Sequence, residues 1–93
     1  MTIAIEQLAV ELNLSSTELL RRSLNAFLER ERRASQQDIA DLQDRYDVAS
    51  VAELKSKIES GVIYSHPAWE DLIEWQNLEA YLERLDQLTS QLQ

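Results

Sequence analysis

The sequence contains no cysteine and only one glycine and one proline among its 93 residues. Without cysteine, the chain forms no disulfide and has neither a thiolate nucleophile nor a cysteine-ligated zinc site. Glycine and proline interrupt helices, so their scarcity favours long helices. No apolar run approaches the roughly 20 residues of a membrane-spanning helix, and the first residues lack the profile of a signal peptide. We therefore expect a helical, cytoplasmic protein.

Residue types that perform catalysis or bind metals are also scarce. The chain has a single histidine, and it lacks a glycine-rich phosphate loop and a nucleophile elbow. His66 and Glu70 are four residues apart, a spacing that can place two ligands beside one metal ion, but two ligands do not form a site. We predict that the protein is not an enzyme and binds no metal or cofactor.

The charge balance is strongly acidic. Lysine and arginine number 9, aspartate and glutamate number 17, and the net charge is −8. Residues 1–60 contain 8 basic and 11 acidic side chains, whereas residues 61–93 contain 1 and 6, so acidity is densest in the C-terminal third. An acidic surface repels phosphates and attracts basic proteins. The composition therefore favours a basic protein partner over nucleic acid.

Apolar residues recur at helical spacing along almost the whole chain. A first short helix with Thr2 as its N-cap is followed by a left-handed turn at Asn13. No helix breaker lies between residues 16 and 46, which predicts one long second helix. Ser15 with Glu18 has the spacing of a capping box at its start.

Two further helices follow the long one. Ser50 and Glu53 form a second capping-box pattern, and Gly61 is placed to end the third helix. The fourth helix is predicted to begin near Pro67, with Ser65 or His66 as its cap, and its leucines follow a near-heptad spacing that is typical of helix pairing.

The length of the second helix predicts self-association. At 1.5 Å per residue it would extend about 45 Å, whereas a compact domain of this size has a radius of gyration of about 12 to 13 Å. We therefore predict an all-α single domain of three to four helices that forms a homodimer. Residues 1–46 would be the dimerisation half, and residues 50–93 would present a partner-binding surface.

The segment SHPAWEDLIEW, residues 65–75, contains both tryptophans, the proline and the histidine. Its proline and acidic residues suit a first helical turn. The two tryptophans can either pack in the core or contact a partner, since tryptophan is the residue most enriched at binding hot spots. The candidate partner-binding residues, within a surface predicted over 65–86, are His66, Trp69, Glu70, Glu74, Trp75 and Glu79.

The second helix contains the only basic concentration in the sequence. Arg21 and Arg32 are three helical turns apart, and Arg22 and Arg33 form the adjacent row, so these four are candidate nucleic-acid contacts. Acid-before-base pairs at i, i+4, such as Glu29 with Arg33, offset their charge. The arginines therefore fit either a nucleic-acid surface or an ordinary exposed helix.

Residues 8–20, LAVELNLSSTELL, resemble the helix-turn-helix of many repressors, with Asn13 at the turn and Leu19 at the inward position; Arg22 departs from that motif. Residues 14–31 also resemble the second helix of ribbon-helix-helix regulators. The candidate strand there is MTIAI, and its outward positions would be Thr2, Ala4 and Glu6. These lack the basic or amide side chains that read DNA bases, so the resemblance implies helical shape and dimerisation more than DNA recognition.

Over the whole chain, and especially in HPAWEDLIEW and the acidic helix after it, the sequence resembles small prokaryotic antitoxins. This resemblance implies a helical protein that neutralises a basic toxin by covering its site and sometimes represses its own operon. Two alternatives remain open. One is a DNA-binding regulator that uses residues 1–33, and the other is a structural helical dimer with neither toxin nor DNA as partner.

Overall fold

The computed structural model describes residues 4–92, which form four helices: α1 (Ile5–Glu11), α2 (Ser16–Tyr46), α3 (Val51–Glu59) and α4 (Ser65–Gln91). No strand occurs among residues 4–92. The prediction of an all-α chain with one long helix over residues 16–46 is confirmed. Within the described part of the chain, no helix is long and apolar enough to cross a membrane.

Serine side chains start two of the helices, as predicted. Ser15 Oγ accepts a hydrogen bond from the Glu18 N–H at 3.0 Å, and Ser50 Oγ accepts one from the Glu53 N–H at 3.1 Å. These bonds satisfy donors that have no partner within the helix. The reciprocal half of each capping box differs. Glu53 accepts from the N–H of Ala49, one residue before the cap, and Glu18 binds arginines instead.

Left-handed residues mark the three turns. Asn13 (φ 57°) and Gly61 (φ 81°) have the conformations that the sequence predicts. Asp47 (φ 53°) also adopts this conformation and ends α2, with its N–H bonded to the Gln43 carbonyl. Aspartate tolerates the left-handed region better than most residues, and this turn directs the chain into α3.

Two predicted caps are wrong or untested. Ala4 occupies the N-cap position of α1 and makes no side-chain cap bond, while Thr2 lies outside the described residues. Ile5 is helical, so a strand cannot extend to it. Tyr64 precedes the first residue of α4 and makes no side-chain cap bond, so Ser65 is not the cap. His66 has the extended backbone angles of an N-cap and holds that position for the regular turns of α4, as one of the two predictions had it. These turns begin at Pro67, where a missing N–H costs no helical hydrogen bond.

Helices α2 and α4 lie antiparallel and side by side, and α3 packs against one end of the pair. Polar contacts fix the register, since the end of α2 contacts the start of α4 and the middle of α2 contacts later turns of α4. These contacts join Arg45 to Asp71, Tyr81 to Glu31 and Arg32 to Asp86.

The main core lies where α2, α3 and α4 meet. Trp75 is its largest side chain and is only 1% exposed. The rest of the buried cluster comes from all three helices and the α2–α3 turn: Leu42, Val48, Leu54, Ile58, Ala68 and Leu72. Away from this end the molecule is essentially two helices thick, with α1 packed on the start of α2. The result is an elongated molecule of 60 × 29 × 16 Å.

We expect Trp75→Ala to lower the free energy of unfolding by about 3 to 5 kcal/mol, because it leaves a cavity in the core. Trp69→Ala, the matched control on the same helix, should cost about 1 kcal/mol or less, because Trp69 is 45% exposed. Urea unfolding at one fixed protein concentration, followed by circular dichroism, measures both. Similar losses for the two variants would contradict this placement of the tryptophans.

Candidate partner-binding surface

The exposed side of the first turns of α4 presents two large apolar side chains. Trp69 is 45% exposed and Ile73 is 46% exposed. They are four residues apart and therefore lie next to each other on the helix surface. Between them in sequence, Leu72 points into the core, so the same turns of α4 are apolar on both sides. We call the outer side, with its flanking Glu70 and Glu74, the Trp69 face.

The carboxylates predicted as partner contacts divide between two sides of α4. Glu70 and Glu74 are exposed and flank the apolar pair on one side. His66 Nδ1 lies 3.0 Å from Glu70 Oε1, which places the imidazole at the N-terminal edge of the face. Glu79 follows Trp69 by ten residues, about 280° around the helix. His66, Trp69, Glu70 and Glu74 therefore lie together on the first turns of α4. Glu79 lies apart from them.

Trp75 is not part of this surface. Its side chain is enclosed by α2 and α3, so within this fold it cannot touch a partner, and its inclusion among the partner-binding residues is wrong. Ile73 takes its place beside Trp69. The spacing shows only that Ile73, four residues from Trp69, shares its helix face and that Trp75, six residues away, does not; which of the two faces is buried depends on tertiary packing.

The Asp71 cluster holds these turns of α4 against the end of α2. The Asp71 carboxylate accepts a hydrogen bond from Arg45 Nη1 at 2.9 Å and a short one from the Tyr46 hydroxyl. Burial and then the neighbouring Asp71 carboxylate raise the pKa of Tyr46 to about 12. The hydrogen bond with Asp71 also raises the pKa of Arg45. The cluster fixes the rotation of α4 and thereby the direction of the Trp69 face.

All four arginines proposed for nucleic-acid contact are paired with carboxylates. Glu18 Oε1 accepts from Arg21 Nη2 at 2.6 Å and from Arg22 Nε at 2.8 Å, and these bonds lower the pKa of Glu18 to about 2. Further along α2, Glu29 likewise faces two arginines, with Arg32 Nε at 3.6 Å, and Arg32 also reaches a carboxylate of α4. Arg33 Nε lies 3.3 Å from Glu29, and Arg32 Nη2 lies 2.5 Å from Asp86.

This pairing changes what the arginine rows can do. Each guanidinium already has an acidic neighbour, and the one at Arg32 also joins α2 to α4. A phosphate approaching these arginines would compete with those carboxylates. The rows therefore resemble a stabilised helix surface more than a phosphate-binding one.

The described residues contain no group of three or more histidine, cysteine, aspartate or glutamate side chains arranged to hold a metal ion. His66 and Glu70 form a close local pair on the first turn of α4. The chemistry that the site offers is apolar contact together with negative charge.

Residues 1–93 match the model of the Uncharacterized protein MJ0235 family, and the chain belongs to this family. No curated protein and no solved structure matches the sequence. The function must therefore be inferred from the surface chemistry of the chain.

We expect Tyr46→Phe to remove part of the alkaline sensitivity of folding. The pKa of Tyr46 is about 12 in the folded protein and ordinarily 10.0, so its stabilising contribution is complete below pH 10 and lost as the pH rises to 12. At pH 8 the wild type should be more stable than the variant by about 1 kcal/mol because of the hydroxyl hydrogen bond. Urea unfolding across this pH range should show the difference closing above pH 10. A constant difference up to pH 12 would contradict the assignment.

Proposed function

We propose that this member of the Uncharacterized protein MJ0235 family is a non-catalytic interaction protein of antitoxin type, which binds and neutralises a basic toxin protein in the cytoplasm. The Trp69 face is its binding surface. The observation that supports this function best is the exposed pair of Trp69 and Ile73 beside Glu70 and Glu74, on a helix whose opposite side is fixed in the core.

The apolar pair supplies the burial that binding requires. A half-exposed tryptophan with an adjacent isoleucine offers a compact apolar contact, and tryptophans of this kind dominate the energetics of many interfaces. Because the Asp71 cluster and the core already fix α4, little conformational entropy is lost when a partner docks. The face is therefore pre-organised for a rigid partner.

The carboxylates select the charge of that partner. Residues 61–93 have a net charge of −5, and Glu70 and Glu74 lie directly beside the apolar pair. Complementary charge accelerates encounter and disfavours acidic partners. A toxin that acts on RNA or nucleotides needs a basic site for phosphates, and an acidic helix can occupy such a site in their place.

The charges of this surface favour DNA binding by residues 1–33 less. Arg21, Arg22, Arg32 and Arg33 all have carboxylate neighbours, and the net charge of the chain is −8. Binding to phosphates would have to overcome both effects. We therefore retain the interaction protein as the proposed function.

We expect the double variant Trp69→Ala, Ile73→Ser to lose capture of the basic partner, with affinity reduced at least ~30-fold because both central apolar contacts are removed. The measurement is capture from nuclease-treated lysate of the native host, with identification by mass spectrometry. The captured protein is then expressed alone and together with this chain. It should arrest growth alone, and wild-type chain but not the double variant should restore growth.

Matched controls separate the face from the rest of the helix. Tyr64→Ala alters an exposed aromatic residue just before α4 and should leave capture unchanged. Glu70→Gln with Glu74→Gln should slow association, and Glu79→Gln, on a different side of α4, should have a smaller effect. Full capture by the double apolar variant, or a captured protein that is harmless when expressed alone, would refute the proposed function.

A further inference from the structure

The half of the molecule away from the core has an apolar groove between α2 and α4. We call it the distal groove. It lies between the early turns of α2 and the last turns of α4, and its lining is apolar except for Gln91. The remaining lining residues are Leu24, Phe27, Leu28, Leu88 and Leu92.

Large apolar side chains extend from this groove along α2. Phe27 is 53% exposed, and Leu20 and Leu24 are also exposed. Their spacing of four and three residues places them in one stripe on the helix surface. Leu88 of α4 borders the same stripe through the groove. A contiguous exposed apolar surface of this kind marks an interaction site in a monomeric chain.

The solvent-accessible surface of the chain is larger than expected for its mass. The chain exposes 6895 Å², whereas a folded monomer of its mass is expected to expose about 5,500 Å². The excess is about 1,400 Å² per chain, and a standard interface buries about 800 Å² per partner. The radius of gyration, 19.2 Å, is likewise well above the roughly 12 Å of a compact chain of this length. One interface of ordinary size would cover somewhat more than half of this excess.

The charge distribution favours a second copy of the chain as the occupant. Residues 16–35 and 79–92, which form the two-helix half, contain six basic and six acidic side chains, so their net charge is zero. The net charge of −8 therefore comes from the rest of the chain, including Glu6 and Glu11 on α1. The α2 and α4 surfaces of two copies do not repel each other in this half, although the α1 carboxylates and the acidic core ends do.

We propose that the distal groove is a two-fold interface that binds a second copy of this chain, with Phe27 of each copy seated in the groove of the other. The same surface supplies both the apolar projection and the apolar groove, which is the requirement for an isologous contact. Two α2–α4 pairs then form a four-helix arrangement with a shared apolar interior.

The proposed interface and the Trp69 face lie at opposite ends of the molecule. The Trp69 face is at the core end of α4, and the distal groove is at the last turns of the same helix, about 28 Å further along from Trp69 to Leu88. A contact confined to the distal groove therefore leaves the Trp69 face uncovered. Dimerisation is a property of the purified chain alone and does not require the proposed toxin.

Sedimentation equilibrium of the purified full chain, from low to high micromolar concentration, tests the proposal. The wild type should sediment as a dimer, and Phe27→Glu should raise the dissociation constant at least ~30-fold. Ile73→Glu, which places the same charge on an exposed apolar position of the Trp69 face, should leave the dimer intact. A monomeric wild type, or equal effects of the two substitutions, would overturn the proposal and leave the groove to a different protein.

A second measurement does not depend on the folding of a charged variant. The sequence has no cysteine, so a single introduced cysteine reacts alone. Leu24→Cys should give covalent dimers with a short bismaleimide, and Val62→Cys, an exposed position beyond α3, should not. Circular dichroism checks that both variants remain helical. Absence of the Leu24→Cys cross-link at concentrations where the chain sediments as a dimer would show that the interface lies elsewhere.

Discussion

Burial of the Trp75 indole between α2, α3 and α4 is the constraint on which the rest of the structure depends. A chain of 93 residues has enough apolar side chains for one core of modest size. Placing that core at the C-terminal end of a 31-residue helix leaves the other end of α2 covered mainly by α4 and the short α1. The elongated shape and the exposed leucines near Phe27 both follow from this arrangement.

The Asp71 cluster fixes the rotation of α4 relative to the core and therefore the direction of the Trp69 face. Asp71 and Trp75 are four residues apart on α4, so the carboxylate and the indole are directed toward the same neighbouring elements. Arg45 and Tyr46 hold the carboxylate from the end of α2. With that side of α4 fixed, Trp69 lies about 120° around the helix from Trp75, at the edge of the buried side, and its side chain is 45% exposed.

Local rules predicted the helices, and tertiary packing decided the rest. The start of α2 followed from Ser15, and its length from the absence of a breaker before Asp47, whose left-handed turn had no distinct signal. The choice between Trp69 and Trp75 could not be made from periodicity, because it depends on where α3 packs. Likewise, i, i+4 pairing anticipated Glu29 with Arg33, whereas Arg32 with Asp86 requires two helices to meet.

The two halves of the molecule differ in charge, and this difference determines how salt acts on each contact. The charges of residues 16–35 and 79–92, which surround the distal groove, cancel, so added salt should weaken a contact made by Phe27 very little. Salt also screens the repulsion between the acidic core ends and between the α1 carboxylates of two copies. At the Trp69 face, salt screens the attraction between Glu70 and a basic partner. Self-association and partner capture should therefore respond to ionic strength in opposite directions. The opposite salt responses of self-association and partner capture distinguish the two contacts within one chain. A single apolar interface used for both self-association and partner binding would respond to salt in one direction only.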